Sequence, residues 1–141
     1  MKIVIGVDGS EPAKRAIEWC AAHAGALDAE VVAVHAIDTL IYEETVGLRL
    51  PVPPPSPEYR AELKEHIDTV WCASLATAKV PHRVVVTDGD PARAIIRATK
   101  EEQADLVVTG RRGRGGFAEL VLGSTSHALS HHLECPLVIV P

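Results

Sequence analysis

The segments KIVIGVD (2–8), EVVAVHAID (30–38), HRVVVTDG (82–89), ADLVVTG (104–110) and PLVIVP (136–141) are short, rich in valine and isoleucine, and apolar almost without interruption. A strand with one wet face alternates apolar and polar side chains, whereas near-continuous runs predict strands covered on both faces. Helical spacing fills the intervals. Ala13, Ala16, Ile17, Cys20, Ala21, Ala24 and Leu27 recur on one helical face, with Ser10 placed to cap it and Pro12 in its first turn. Leu63, Ile67, Val70, Trp71, Leu75 and Ala78 make a second stripe, Pro91 to Glu102 a third helix with Ile95 inward, and Ser124 to Leu133 a fourth. Joined by right-handed crossovers, this alternation predicts an α/β fold: a five-stranded parallel doubly wound sheet with helices on both faces.

At 141 residues the chain fits a single domain, 1–141, and a chain of this size buries roughly 70% of its unfolded surface. Its net charge of -5 argues against nucleic acid as a partner, because phosphate-driven binding needs a broad cationic face. The arginines at 111, 112 and 114 are a local feature. No run approaches the roughly 18 apolar residues of a membrane span, and MKIVIGVDGS is too soon interrupted for a signal peptide, so the expected location is the cytoplasm, away from membranes. Cys20, Cys72 and Cys135 form no CxxC pair, and an odd number closes no disulfide framework. They read as reduced core thiols. Residues 38–57, with LPVPPPSP, predict an extended connection, since prolines resist both helix and ladder. A variable surface loop is favoured there over a lid or a partner-binding arm.

In open parallel sheets, ligands sit beyond the carboxyl ends of the strands, where the winding reverses. Those ends here are Val7 and Asp8, His35 to Ile37, Asp88, and Thr109 with Gly110. From that edge leaves VVTGRRGRGGFAELVLGSTSHALSHHL (107–133). Glycines at 110, 113, 115 and 116 let successive N–H groups converge into an anion nest. Gly123, Ser124 and Thr125 then open a helix whose unpaired amides and positive dipole end suit phosphate.

Other motifs fail on context. A Walker loop needs a lysine beside its Ser/Thr, and no lysine follows Lys100. GRGGFA matches a dinucleotide fingerprint in letters only, because it does not lie directly between a strand and its helix. Ser124 sits in no G-x-S-x-G elbow. His127 and His131 are spaced i, i+4, yet no further ligand completes a metal set, so they read as solvated or packed. Asp8 reads either as a ligand contact or as the organiser of the turn before the first helix. Arg114 reads equally as a solvated charge or as a phosphate contact. His35 reads as a packed side chain whose neighbours' backbone matters, and Trp71 as core.

The spacing of Gly110, Gly113, Gly123 and Ser124, together with VDGS after the first strand and VHAID in the second, resembles the ATP-binding branch of the universal stress protein family. The resemblance runs from IVIGVDGSEPAKRAIEWC to CPLVIVP, nearly the whole chain. It implies the adenine-nucleotide-binding α/β fold of that family, with strand order 3-2-1-4-5, and ATP with Mg²⁺ as the cofactor. In ATP-binding members the glycine segment and the hydroxyl residue after its last glycine hold phosphates and ribose. The strand-one aspartate lies beside the nucleotide, and the backbone after the strand-two histidine contacts adenine. By position these become Gly110, Gly113, Gly123, Ser124, Thr125, Asp8 and Ala36, with Val7 and Thr109 at the adjoining strand ends. Arg111 stands where many relatives carry a small hydroxyl residue, so it either adds a phosphate contact or crowds the site.

The expected function is an ATP-binding regulatory or stress-response module that passes its state to a protein partner. The alternatives are a slow ATPase or self-phosphorylating enzyme, with Ser124 or Thr125 as acceptor, and a nucleotide-free interaction protein. The glycine segment offers no general base, and no second carboxylate stands beside Asp8 to hold catalytic Mg²⁺. Leu137 to Val140, at the sheet edge implied by the resemblance, carry no charge and no internal proline, so a second copy is expected to pair there as a homodimer.

Overall fold

Strands that are apolar on both faces need helices on both sides, and the chain is built that way. A computed structural model describes residues 1–43, 45, 47–113 and 122–141, with the backbone alone for 41–43. The elements are β1 (Lys2–Gly6), α1 (Glu11–His23), β2 (Glu30–Ile37), β3 (Leu40–Glu43), β4 (Leu48–Pro51) and α2 (Pro57–His66), which runs through a π-helical turn (Ile67–Trp71) into α3 (Ala73–Thr77). Then come β5 (His82–Asp88), α4 (Pro91–Glu102), β6 (Leu106–Gly110), α5 (Ser124–His132) and β7 (Leu137–Val140). The main sheet has the order β5-β2-β1-β6-β7 with every pairing parallel. Numbered along the chain, its five strands run 3-2-1-4-5, as expected.

Period-two side-chain alternation sends Ile3, Ile5, Val7, Val31, Ala33 and Val108 into one core with α1, Ile67, Cys72 and Leu75. Val4, Val32, Val34 and Val107 fill a second core with Ala94, Ile95 and Leu129 of α4 and α5. Cys20 and Cys72 are fully buried, Cys135 is half-buried, and all three are free thiols. Burial pushes the Cys20 thiol up to about 12, reinforced by Cys72, and the Cys72 thiol to about 11, so both stay protonated and unreactive.

Three expectations are corrected. The α1 stripe does not reach Leu27. Turn bonds from Leu27 and Ala29 N–H to Ala24 O close the helix first and leave Leu27 exposed. In the second stripe Ile67 and Leu75 are buried, but Val70 is 56% exposed and Ala78 is exposed, because the π turn inserts a residue and rotates the register. Within 38–57, Leu40–Glu43 pairs antiparallel with Leu48–Pro51. The proline cluster bars a ladder only beyond that hairpin, and Gly47, at φ +65°, supplies the positive φ in the turn that joins the two strands.

Candidate functional site at the strand tips

The order of the sheet reverses its winding between β1 and β6, and a cavity of about 990 Å³ opens over their carboxyl ends. Val7, Asp8, Ala36, Thr109, Gly110, Gly113, Gly123, Ser124 and Thr125 all line it. Arg111 does not. Its N–H donates to Val140 O at 2.7 Å, continuing the β6–β7 ladder past Gly110, and its side chain is exposed. The neighbouring Arg112 lines the cavity instead, half-buried. Arg114 lies outside the described residues.

The start of α5 differs from the other long helices in its cap. Ser10, Ser56 and Asp90 cap α1, α2 and α4, their side-chain oxygens accepting from Ala13, Tyr59 and Arg93 N–H. Gly123 caps α5 with no side chain. The first-turn amides of Ser124, Thr125 and Ser126 therefore have no capping oxygen from within the helix, and these residues line the cavity. Gly123 N–H and Ser126 Oγ both donate to Arg111 O at 2.8 Å, which fixes the helix start against the turn after β6. Arg112 lines the same cavity, and its Nε is buried with no hydrogen-bond partner among the described residues. A buried donor left unmade costs about 1–3 kcal/mol, more when charged, so this one has an acceptor to gain. The helix dipole and the guanidinium add to give one cationic end.

The tip of β1 supplies an acidic counterpart. Ser10 N–H and Ser10 Oγ donate to Asp8 Oδ1 at 2.9 and 2.5 Å, so Asp8 organises the turn into α1. Its other oxygen faces the glycine turn: a methyl at Gly113 would stand 2.6 Å from Asp8 Oδ2. Val7 O accepts from His35 Nδ1 at 2.8 Å, which puts the proton of a neutral His35 ring on Nδ1. Thr109 is buried, its hydroxyl turned to Gly110 O.

Two further side chains were hidden from sequence reasoning. Arg112 and Arg111 are adjacent and identical in kind, and nothing in the sequence tells which faces inward; in the structure Arg111 N–H continues the ladder to Val140 O and Arg112 lines the cavity. Trp71, expected as core, packs against the first core but also lines the cavity. The π turn that moves it carries no sequence signature. His127 and His131 stand on the exposed side of α5 with rings 4.7 Å apart, and among the described residues no three His, Cys, Asp or Glu side chains converge.

The sequence model of the universal stress protein family matches residues 1–141. A universal stress protein of Thermus aquaticus is 35% identical, over 98% of this chain and 96% of the relative. One from Synechocystis is 31% identical, over 99% and 96%. Among solved structures, a universal stress protein in complex with cAMP superposes with a TM-score of 0.72 at 20% identity, covering 99% of this chain and 95% of the other. The Archaeoglobus fulgidus protein in complex with dAMP gives 0.70 at 18%, covering 100% and 98%. An Arabidopsis thaliana family protein with AMP bound gives 0.65 at 19%, covering 99% and 90%. At these identities the structural likeness is one of fold.

Proposed function

The chain belongs to the universal stress protein family, and from that membership we propose that it is an ATP-binding regulatory module whose bound state is read by a protein partner. Structural neighbours complexed with cAMP, dAMP and AMP support adenine as the base. The observation that carries the reading is the coincidence, at one cavity, of an α5 start capped by a bare glycine and of Arg112, whose buried Nε has no partner among the described residues. Both ask for an anion.

In this reading the first-turn amides and hydroxyls of Ser124 and Thr125, the Gly110 to Gly113 turn and Arg112 receive the phosphates. Arg111 is left out. Asp8 stands beside the glycine turn at the ribose, and Ala36 offers its backbone at the base end. Val7, whose N–H and C=O are engaged by Val34 and His35, contributes wall rather than hydrogen bonds, and Thr109 does the same. With no cluster of three metal-ligating side chains among the described residues, Mg²⁺ would reach the site on the phosphates, with Asp8 as the carboxylate beside the glycine turn. Among the described residues no helix is long and apolar enough to cross a membrane.

The test is a titration of protein freed of bound nucleotide. We expect a micromolar Kd for ATP, about -8 kcal/mol. A hundredfold excess then stabilises the fold by about 2.7 kcal/mol, several degrees in Tm. Arg112→Ala should weaken ATP about tenfold or more, since a hydrogen bond to a charged group contributes about 1.5–3 kcal/mol. A thermal scan flat against ATP, ADP and AMP would remove the proposal.

A further inference from the structure

We infer that Trp71 is the platform on which this site selects a planar base, an inference that rests on the nucleotide reading above. An unbroken α-helix from Leu63 would bury Val70. Instead Cys72 N–H donates to Ile67 O at 2.9 Å, closing a π turn. The inserted residue puts Val70 in solvent, Cys72 in the core, and Trp71 half-buried at the cavity. π turns of this kind recur where a side chain must be re-aimed for function.

The indole is braced from three sides. Gly9, at φ +77°, packs against it: a Cβ at Gly9 would stand 2.6 Å from Trp71 Cζ2. The His35 ring, itself held by Val7 O, meets the indole at 76° with centroids 5.4 Å apart, and His66 meets it at 80° and 5.9 Å. These are edge-to-face contacts, the favoured geometry for aromatic pairs. Such a ring loses little freedom when a ligand packs on it. Its neighbours also connect it to the rest of the site. Gly9 follows Asp8, which reaches Gly113, and Ala36 follows His35. One continuous cavity therefore has a cationic, amide-lined end at Arg112 and α5 and an aromatic end at Trp71. That polarity fits a purine nucleotide: an anionic tail joined to a flat, π-rich head.

The chain holds two tryptophans, Trp19 and Trp71, and Trp19 stacks on His23 within α1. Trp19→Phe thus leaves one indole, at the site. Titrating that variant with AMP should give a saturable change in tryptophan emission, while tripolyphosphate, which has no base, should bind without it. Trp71→Leu should weaken AMP about tenfold or more, the usual loss for a removed stacking partner, and leave tripolyphosphate affinity within about twofold. Trp71→Phe should recover part of the loss. If calorimetry shows AMP binding with no change in Trp71 emission, or if Trp71→Leu weakens AMP and tripolyphosphate alike, the indole is only a strut for the Gly9 turn and the inference fails while nucleotide binding stands. If neither AMP nor ATP binds by calorimetry, both readings fall. The emission titration keeps the test decisive even should Trp71→Leu not fold.

Discussion

A methyl group added at Gly110 and one added at Gly113 meet different things. At Gly110 it would lie 2.6 Å from the backbone carbon of Pro12 and 2.8 Å from Pro12 O, so the first turn of α1 packs directly onto the tip of β6. Backbone cannot step aside cheaply. At Gly113 it would meet, among the described residues, only the end of the Asp8 side chain. Gly110→Ala should therefore destabilise the fold by about 1–3 kcal/mol, as overpacking does. Gly113→Ala should leave stability within about 0.5 kcal/mol of the parent while displacing the Asp8 carboxylate and weakening nucleotide binding. Thermal melts and calorimetry on the two variants separate the effects, and equal melting losses would contradict this assignment. The glycine spacing was legible in the sequence because close approach demands glycine whatever lies opposite. What lies opposite was not, since Pro12 and Asp8 are about a hundred residues away along the chain, and neither was the choice between Arg111 and Arg112.

Among the elements, the five sheet strands were readable nearly to their ends, because burial on both faces leaves a run with few polar interruptions. The π turn and the β3–β4 hairpin were not. A π turn changes which residues face inward without changing their kinds, and a hairpin of four-residue strands is too short to stand out beside a proline cluster. At the opposite end of the sheet from the cavity, Glu102 at the end of α4 joins two strands, pairing with Arg83 of β5 and with Lys2 of β1 at 3.2 Å. The hydrogen bond from Arg83, and then that from Lys2, holds the Glu102 carboxyl below its ordinary 4.5. The unfolded chain then takes up the proton more readily than the folded one. The contribution of Glu102 is complete above about pH 4.5 and is lost as pH falls through its lower folded value. Glu102→Gln should accordingly cost no more than about 1 kcal/mol at pH 7, as for partly exposed ion pairs, and the gap between the two melting curves should close in acid. A gap that persists undiminished in acid would place the loss in packing instead.

For the whole molecule, the order of the sheet sets both the site and the edges. Neither is written in any single residue. The order follows from alternation and crossover handedness, and with it come a reversal between β1 and β6 and two outer strands, β5 and β7. Val138 and Val140 pack against one core and Leu137 against the other, whereas Ile139 is half-buried and belongs to neither. We propose that β7 pairs with the same strand of a second copy. Ile139→Lys should then shift the protein toward monomer in sedimentation while sparing the core and ATP affinity, and a parent protein that is already monomeric at tens of micromolar would exclude the interface. The parallel arrangement also bears on synthesis. Asp8, Ala36 and Trp71 leave the ribosome before Arg112, Gly123 and Ser124, and the two groups meet only when β6 docks beside β1. On the nucleotide reading proposed above, a nascent chain lacks the α5 amides that would grip a phosphate until that helix emerges, so tight binding of the ligand waits for it.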